Sequence, residues 1–329
     1  MAKVFTTIVP LAAAGVGDFF DFRPPVGEDW EVTEIAASVF SGGTVPEVDA
    51  GLMTAVSIVP AWIRHSGNTG TFENLRGWGG ETSIFINNAC WLRVENADAA
   101  PVIVAIVAKV IKTYGPAARS SVVSGIRILA GAIATPITPP AGQDWLLTDV
   151  GSSVWVNANP NQLPNVQVDL TEAGLLATVA TAGAVSRGWD KPFELHLNNT
   201  SFVTLTPAGA ATIGWSAVIT REYPPNGFSN VITRVRLADA AGDVEIRPPV
   251  GEEWKITDIG CNAAFTVAVP TVQADIVDAA AQVTIAQLST AAKGWYGKMA
   301  YLLNRNNWMV LRAVAATDNC GVSGTRWRE

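Results

Sequence analysis

The residue types that carry catalysis are few in this chain and are not arranged for it. Only two histidines occur, His65 and His196, and no spacing in the sequence brings either one together with a nucleophile and an orienting carboxylate. The Gly-x-Ser-x-Gly, His-Glu-x-x-His, P-loop and dinucleotide-binding signatures do not occur in the 329 residues. The sequence therefore predicts no enzymatic site and no cofactor.

Metal ligation is also weakly supported. Cys90, Cys261 and Cys320 are odd in number and far apart, so they predict neither a disulfide framework nor a zinc cluster, and we interpret them as small buried apolar side chains. Four aspartates in turn-like surroundings leave calcium open as an alternative to solvated loop carboxylates: Asp239, Asp243, Asp275 and Asp278. We favour loop carboxylates and predict no metal site.

Composition indicates a protein that packs against other chains. Charged residues make up 16% of the sequence and hydrophobic residues 49%, whereas soluble domains carry about 25% charged residues. A surface with so little charge is poor at keeping molecules apart. The net charge of −7 and the lack of a basic patch argue against binding nucleic acid or an anionic membrane.

One motif occurs three times and gives the chain its organisation. It reads FRPPVGEDW at 22–30, ITPPAGQDW at 137–145 and IRPPVGEEW at 246–254, and each copy continues into a similar strand-like segment. We expect the prolines, glycine and tryptophan of each copy to be structural residues. They are Pro24, Pro25, Gly27 and Trp30, then Pro139, Pro140, Gly142 and Trp145, then Pro248, Pro249, Gly251 and Trp254.

A second repeated motif lies downstream of the first. Its glycine and tryptophan are Gly77 and Trp78, Gly188 and Trp189, and Gly294 and Trp295, each pair preceded by Arg or Lys. We expect these tryptophans to pack in a core, with stacking on a ligand as the open alternative. A matched asparagine follows in each copy, at Asn87, Asn198 and Asn304.

The repeats predict an all-β protein of three tandem, homologous β-sandwich domains of jelly-roll type. We place the domains at 1–115, 120–224 and 229–329, with Gly and Pro at the joins. Alternating β-branched residues and short segments suit a sandwich or jelly roll. The apolar run Val4–Gly15 has counterparts in the other copies, so we interpret it as a first strand. Thr171–Ala184 reads as strand and loop as readily as helix.

The motif itself reads as a folding element. Two prolines remove backbone donors and fix φ, the glycine permits a tight turn, and the tryptophan begins a strand and anchors it. We expect the acidic pair between glycine and tryptophan to cap the turn. The two carboxylates are adjacent in sequence and cannot face each other across a substrate, and the second copy has Gln143 in the first place.

The Pro-Pro-x-Gly-Glu-x-Trp turn with its Ile-Thr-Asp/Glu-Ile strand, at 23–35, 138–150 and 247–259, resembles jelly-roll structural proteins of tailed bacteriophage virions. The likeness is to head decoration, or cement, proteins and more loosely to fibre or spike domains. Thr138 and Gln143 depart from the pattern in the second copy. The resemblance implies a non-enzymatic protein on the capsid surface, made in the host cytoplasm.

Under this hypothesis the partners are the major capsid protein, other virion proteins and further copies of the chain. We expect the contact surfaces in the less repetitive ranges Phe40–Gly51, Asn157–Val166 and Val269–Ala281. The alternative is a tail-fibre or spike adhesin that binds a host glycan through aromatic residues that the three copies do not share. The candidates are Trp62, Trp155, Trp215 and Tyr296.

Overall fold

Strands are the only regular secondary structure in the part of the chain that the computed structural model describes. None of those residues forms a helix long and apolar enough to cross a membrane. The described residues are 3–12, 18–39, 48–57, 60–66, 77–96, 100–115, 118–129, 131–154, 166–182, 194–207, 209–224, 227–237, 243–262, 272–278, 281–287, 300–313 and 319–328.

The first eight strands form set 1. Their sequences are rich in Val, Ile and Thr, and in Val102–Thr113 buried and half-buried residues alternate as expected of a strand with one face in a core. The strands are β1 (Val4–Leu11), β2 (Phe19–Phe22), β3 (Glu28–Val39), β4 (Val48–Thr54), β5 (Ala61–Ser66), β6 (Gly77–Ile86), β7 (Cys90–Asn96) and β8 (Val102–Thr113).

Two further sets of eight strands follow along the chain. Set 2 comprises β9 (Gly125–Leu129), β10 (Thr135–Ile137), β11 (Gln143–Val154), β12 (Val166–Glu172), β13 (Leu175–Ala182), β14 (Leu195–Leu197), β15 (Ser201–Pro207) and β16 (Ala211–Glu222). Set 3 comprises β17 (Val231–Leu237), β18 (Asp243–Ile246), β19 (Glu253–Asn262), β20 (Val272–Val277), β21 (Gln282–Gln287), β22 (Tyr301–Leu303), β23 (Trp308–Ala313) and β24 (Asn319–Arg328).

All three sets have the same topology. One antiparallel sheet has the order β1-β8-β3-β6 in set 1, β9-β16-β11-β14 in set 2 and β17-β24-β19-β22 in set 3. The other has the orders β2-β7-β4-β5, β10-β15-β12-β13 and β18-β23-β20-β21. We call them the 1-8-3-6 sheet and the 2-7-4-5 sheet of each set. Eight strands in two sheets of this order form a jelly roll, so the predicted all-β, jelly-roll-like fold is confirmed.

Each set encloses a core between its two sheets. Fully buried residues such as Ile106, Leu170 and Ile256 belong to three hydrophobic clusters, one centred on each set. Val235 of set 3 belongs to the cluster of set 2, so neighbouring sets pack on each other. The sets fall within 1–115, 120–224 and 229–329, the ranges that we continue to propose as domains.

A bulge recurs in the third strand of every set. The pairing of that strand with the eighth strand slips between Val32 and Glu34, between Leu147 and Asp149, and between Ile256 and Asp258. The skipped residue is a threonine each time: Thr33, Thr148 or Thr257. A bulge re-aims a side chain relative to its sheet. Thr148 and Thr257 lie at the contacts between sets, whereas Thr33 donates to the carbonyl of Val107 within set 1.

Two ambiguous segments of the sequence are strands. The apolar run near the N-terminus contains β1, which pairs antiparallel with β8. The segment 171–184 contains the end of β12 and all of β13, joined by a turn at Ala173 and Gly174 with φ values of 50° and 82°. The strand-and-loop interpretation therefore describes this segment.

The ranges expected to supply contact loops contain strand residues. The range Phe40–Gly51 includes the start of β4, where Val48 and Ala50 are fully buried, and Val269–Ala281 includes β20. The remaining parts, 40–47, 157–165, 269–271 and 279–280, lie outside the described residues. Deleting these ranges whole would remove part of β4 and all of β20.

Candidate functional site: the joints between the sets

The Pro-Pro motif forms the same turn in each set. Gly27, Gly142 and Gly251 have φ values of 92°, 86° and 89°, a region that favours glycine. In the first two copies the glycine carbonyl accepts a hydrogen bond of 2.8 Å from the amide of Tyr114 or Tyr223. The turn is thereby tied to the end of the eighth strand.

The remaining motif residues divide between core and surface. The first proline of each pair is buried and the second is exposed, while Trp254 is buried and Trp30 and Trp145 are half-buried. The indole Nε1 donates to the first residue of the acidic pair, at 2.7 Å to Glu28, 2.9 Å to Gln143 and 2.7 Å to Glu252. An amide oxygen serves as well as a carboxylate here, which accounts for glutamine in the second copy.

The second acidic residue holds the connection to the next set. Asp29 is fully buried and accepts hydrogen bonds from the Ser120 hydroxyl at 2.6 Å and the Ser121 amide at 2.6 Å. Asp144 does the same for the Ser229 hydroxyl at 2.6 Å and the Asn230 amide at 2.9 Å. The expectation that the pair caps the turn is therefore replaced by two separate roles.

The repeated asparagine binds the same connection. We call each aspartate and asparagine pair, Asp29 with Asn87 and Asp144 with Asn198, a clasp. Asn87 accepts from the amide of Cys90 through Oδ1 and donates through Nδ2 to Ser120 at 2.9 Å. Asn198 likewise accepts from the Ser201 amide and donates to Ser229 at 3.0 Å. Each connection is thus fixed by an aspartate and an asparagine of the set that precedes it.

Beyond the connection, the edge of one jelly roll lies on the sheet face of the next. Strands β5 and β6 contact β11 and β16, and β13 and β14 contact β19 and β24. In both cases the fifth and sixth strands of one set meet the outer face of the next 1-8-3-6 sheet. We call each of these two contacts a joint.

The sixth strand makes matching hydrogen bonds in both joints. The bulged Thr148 donates to the carbonyl of Ser83 at 2.6 Å, and Thr257 donates to that of Glu194 at 2.7 Å. The amide of Phe85 donates to the Ser216 hydroxyl at 2.7 Å, and that of His196 to the Ser323 hydroxyl at 2.9 Å. An edge strand that exposes unpaired backbone groups is in this way satisfied by the next set.

Glycines on the receiving face allow the preceding set to approach closely at each joint. A methyl group added at Gly214 would lie 2.5 Å from Cβ of Ala61, and one added at Gly260 would lie 2.6 Å from the carbonyl oxygen of Thr178. Both distances are far below van der Waals contact, and Ala61 and Thr178 belong to the preceding set. The joints therefore require glycine on the receiving face.

The second joint buries titratable groups. Burial, with a contribution from the charge of Lys255, lowers the pKa of His196 to about 4. Burial also raises the pKa of Asp258 well above its usual range, although the Glu194 amide donates to this carboxylate at 3.2 Å. The joint thus favours neutral His196, and a neutral carboxyl group at Asp258.

The cysteine and aspartate candidates that the structure describes take part in contacts within single jelly rolls. Burial raises the pKa of the Cys90 thiol to about 12, which suits a small apolar residue. Arg312 donates to Asp275 at 2.7 Å and to Asp243 at 2.6 Å, so a guanidinium lies where two of the calcium candidates meet. Burial alone would raise the pKa of Asp275, but hydrogen bonds from Gln273 and Arg312 hold it below its usual value.

The aromatic candidates for glycan stacking are engaged or undescribed. Trp215 is half-buried, donates to the carbonyl of Val123 at 3.0 Å and packs against Gly125. The side chain of Trp62 and all of Trp155 and Tyr296 lie outside the described part of the chain. Arg23 and Arg247 cover the rings of Trp91 and Trp308, at 4.1 Å and 3.9 Å from the ring centroids.

The Gly-Trp motif is only partly described. Gly77 and Trp78 begin β6 and pair with Ser38 and Ala37, but their side chains lie outside the described residues, as do Gly188, Trp189, Gly294 and Trp295 entirely. Core packing or ligand stacking of these tryptophans stays a prediction. The sequence did not predict the joint residues, although Ser216 and Ser323 occupy equivalent positions in the eighth strands of sets 2 and 3.

Comparison with known proteins gives a likeness of fold. No protein family and no curated protein matches the chain. A solved structure described as that of Sulfolobus turreted icosahedral virus aligns at 8% identity over 99% of this chain and 90% of that chain, with a TM-score of 0.25. Another, described as the triple jelly roll fold and turret assembly in an archaeal virus, aligns at 8% identity over 99% and 89%, with a TM-score of 0.26. Similarity at this level carries no functional argument.

Proposed function

We propose that the chain is a non-enzymatic structural protein of a virion, and that it acts as a decoration or cement protein on the capsid surface. The observation that carries the proposal is that three jelly rolls are locked in a row by two equivalent buried joints. The paired polar groups of these joints hold neighbouring jelly rolls in fixed positions. In the described residues, no group of three or more His, Cys, Asp or Glu side chains could hold a metal ion.

The surface supports a role in assembly. Only 16% of the residues are charged, and the tips of the Pro-Pro turns in sets 1 and 3 expose Val26 and Val250. Apolar side chains repeated at equivalent positions of a rigid row can contact equivalent positions of a repeating lattice, and each contact stabilises by about 25 cal/mol per Å² of apolar surface buried. The partners would be the major capsid protein and other virion proteins.

The resemblance of the repeated turn to head decoration proteins of tailed bacteriophages points the same way. On this proposal the chain lies on the capsid surface after synthesis in the host cytoplasm. The second candidate, a fibre or spike adhesin, would need an exposed aromatic patch, and Trp215 does not provide one because its indole is bonded within set 2.

Reconstitution tests the proposal. Particles that lack the chain should lose their nucleic acid at a lower temperature than complete particles, and added purified chain should restore the complete-particle value. Serum albumin at the same concentration controls for unspecific protection. If the added chain does not bind the depleted particles, the decoration role is wrong, and binding to a glycan array would then support the adhesin.

A further inference from the structure

The row has two ends, and each carries the counterpart of a surface that the joints bury. At one end is the outer face of the 1-8-3-6 sheet of set 1, which we call the end face. At the other is the edge formed by β21 and β22 of set 3, which we call the end edge. Val283 and Leu302 on the end edge are 62% and 54% exposed. Their counterparts in the joints are buried at Ala61, Ala177 and Phe85 and half-buried at His196.

The end face differs from the two faces that receive a neighbour. The central residues of the receiving faces are cross-strand glycine pairs, Gly151 with Gly214 and Gly260 with Gly321. The same register in set 1 pairs Ala36 with Ala105. The end face therefore carries two methyl groups at positions where a methyl group in the joints would lie 2.5 to 2.6 Å from a neighbouring atom.

A hydrogen-bond acceptor is also missing from the end face. The serines that accept the edge amides in the joints, Ser216 and Ser323, pair in register with Asp149 and Asp258. The residue in that register in set 1 is Val107, opposite Glu34. An edge amide placed over Val107 would be buried without a partner, which is unfavourable.

The end edge also carries a larger side chain than the corresponding edges in the joints. In the joints the fifth-strand residue opposite Leu52 or Leu170 is an alanine, Ala61 or Ala177, and both alanines are fully buried. The corresponding residue opposite Ile276 is Val283. The end edge thus adds two carbon atoms at the place where Ala61 already approaches Gly214 most closely.

We propose that Ala36, Ala105, Val107 and Val283 together prevent a further copy of the chain from extending the row through a third joint. A head-to-tail contact would otherwise continue as a filament or close as a ring. Tandem-repeat proteins limit such growth with atypical terminal units, and clashes with unpaired polar groups are the usual means of excluding a partner. Any self-association of the chain must then use a different surface, whatever particle it belongs to.

Restoring the joint residues tests this inference in the full chain. A face variant carries Ala36→Gly, Ala105→Gly and Val107→Ser, an edge variant carries Val283→Ala, and a combined variant carries all four. Circular dichroism and thermal melting establish that each is folded, and sedimentation velocity measures association. We expect the mixed face and edge variants to form a species of twice the 34.7 kDa chain mass, and the combined variant to form a ladder of larger species.

Leu302→Arg in the combined variant is the matched control and should return it to the single-chain mass, because β22 would be central to the new contact. The wild-type chain should show no association that Leu302→Arg abolishes. Association of the wild-type chain that this substitution does abolish would overturn the inference. So would a folded combined variant that stays at the mass of one chain. If the face variant does not fold, the pair Ala36→Gly and Ala105→Gly replaces it under the same criteria.

Discussion

At the scale of single residues, the repeated motif works through polar groups that are nearly inaccessible to solvent. Asp144 is 2% exposed, yet it accepts hydrogen bonds from a hydroxyl and a backbone amide of the connection that follows set 2. A buried carboxylate is tolerated when such donors satisfy it. Its purpose is to fix the position of the next jelly roll.

Asp144→Ala should therefore destabilise the chain. The substitution leaves the amide of Asn230 without its acceptor, and we expect the free energy of unfolding to fall by about 1–3 kcal/mol. Urea unfolding followed by tryptophan fluorescence measures the change. Glu34→Ala, at an exposed position of the corresponding strand in set 1, should change stability by less than about 0.5 kcal/mol; equal losses in the two variants would show that the clasp contributes nothing.

The turn glycines give a graded prediction. Gly142 and Gly251 share a positive φ, but a methyl group would lie 2.7 Å from the carbonyl oxygen of Tyr223 at Gly142 and near nothing at Gly251. We expect Gly142→Ala to cost about 2–3 kcal/mol and Gly251→Ala about 1 kcal/mol. Gly131→Ala, which has open space and no positive φ, is the control, and thermal melting should rank the three in this order.

The sequence predicted these turns better than it predicted their partners. Proline pairs and a following glycine indicate a tight turn from local chemistry alone, so three copies could be recognised. The separate roles of the two acidic residues could not be predicted. Asp29 and Asp144 accept hydrogen bonds from serines of the following connections, Ser120 and Ser229, and only the tertiary structure brings these groups together.

At the scale of elements, the joint is an edge strand that finds hydroxyl partners on the next sheet. Gly260→Ala should loosen the second joint, because the added methyl group would meet the backbone oxygen of Thr178 at 2.6 Å. We expect faster amide hydrogen exchange in β13, β14 and β19 and unchanged exchange in β3 and β8. Ala36→Gly, at the equivalent position of set 1, should leave exchange at both joints unaltered. Unchanged exchange in β14 of the Gly260→Ala chain would refute the close-packed joint.

The second joint should also respond to acid. Because the folded-state pKa of His196, about 4, lies below the unfolded value near 6.5, neutral His196 stabilises the fold above about pH 6.5. That contribution is lost as the pH falls towards 4. The full difference corresponds to roughly 3 kcal/mol. Asp258 acts in the opposite direction, since its raised pKa favours the fold at lower pH.

His196→Phe isolates this contribution. Phenylalanine fills the equivalent position in the first joint, at Phe85, and Asp258, Lys255 and Glu194 remain in both proteins. The stability of the variant relative to the wild type should rise as the pH is lowered from 7 to 4, as measured by urea midpoints at each pH. Parallel pH profiles for the two proteins would contradict a buried neutral histidine at this joint.

Strands were predictable from alternation, and the joints were not. Val102–Thr113 alternates so clearly that its strand could be assigned from sequence. The sequence did not predict that Gly214 differs in role from Ala105, or Ser216 from Val107. These differences matter because of the receiving face, which only the structure shows. Equally, the sequence separation of Cys261 and Cys320 hid the register that places them directly opposite each other in β19 and β24.

At the scale of the whole molecule, three jelly rolls form a row whose repeated joints leave equivalent surfaces facing outward. A rigid row of this kind suits a repeating lattice, and the low proportion of charged residues suits a protein covered by neighbours. Both features support the decoration role. Neither depends on the weak overlap with archaeal virus structures.

Immunogold electron microscopy of particles from the organism that produces the chain, with antibody against the chain, decides whether it is a decoration protein. We expect regular labelling over the surface of the head, with no label on particles that lack the chain. Label confined to the tail or fibre tips would contradict the decoration role in favour of an adhesin, and its absence from every particle would contradict a virion function altogether.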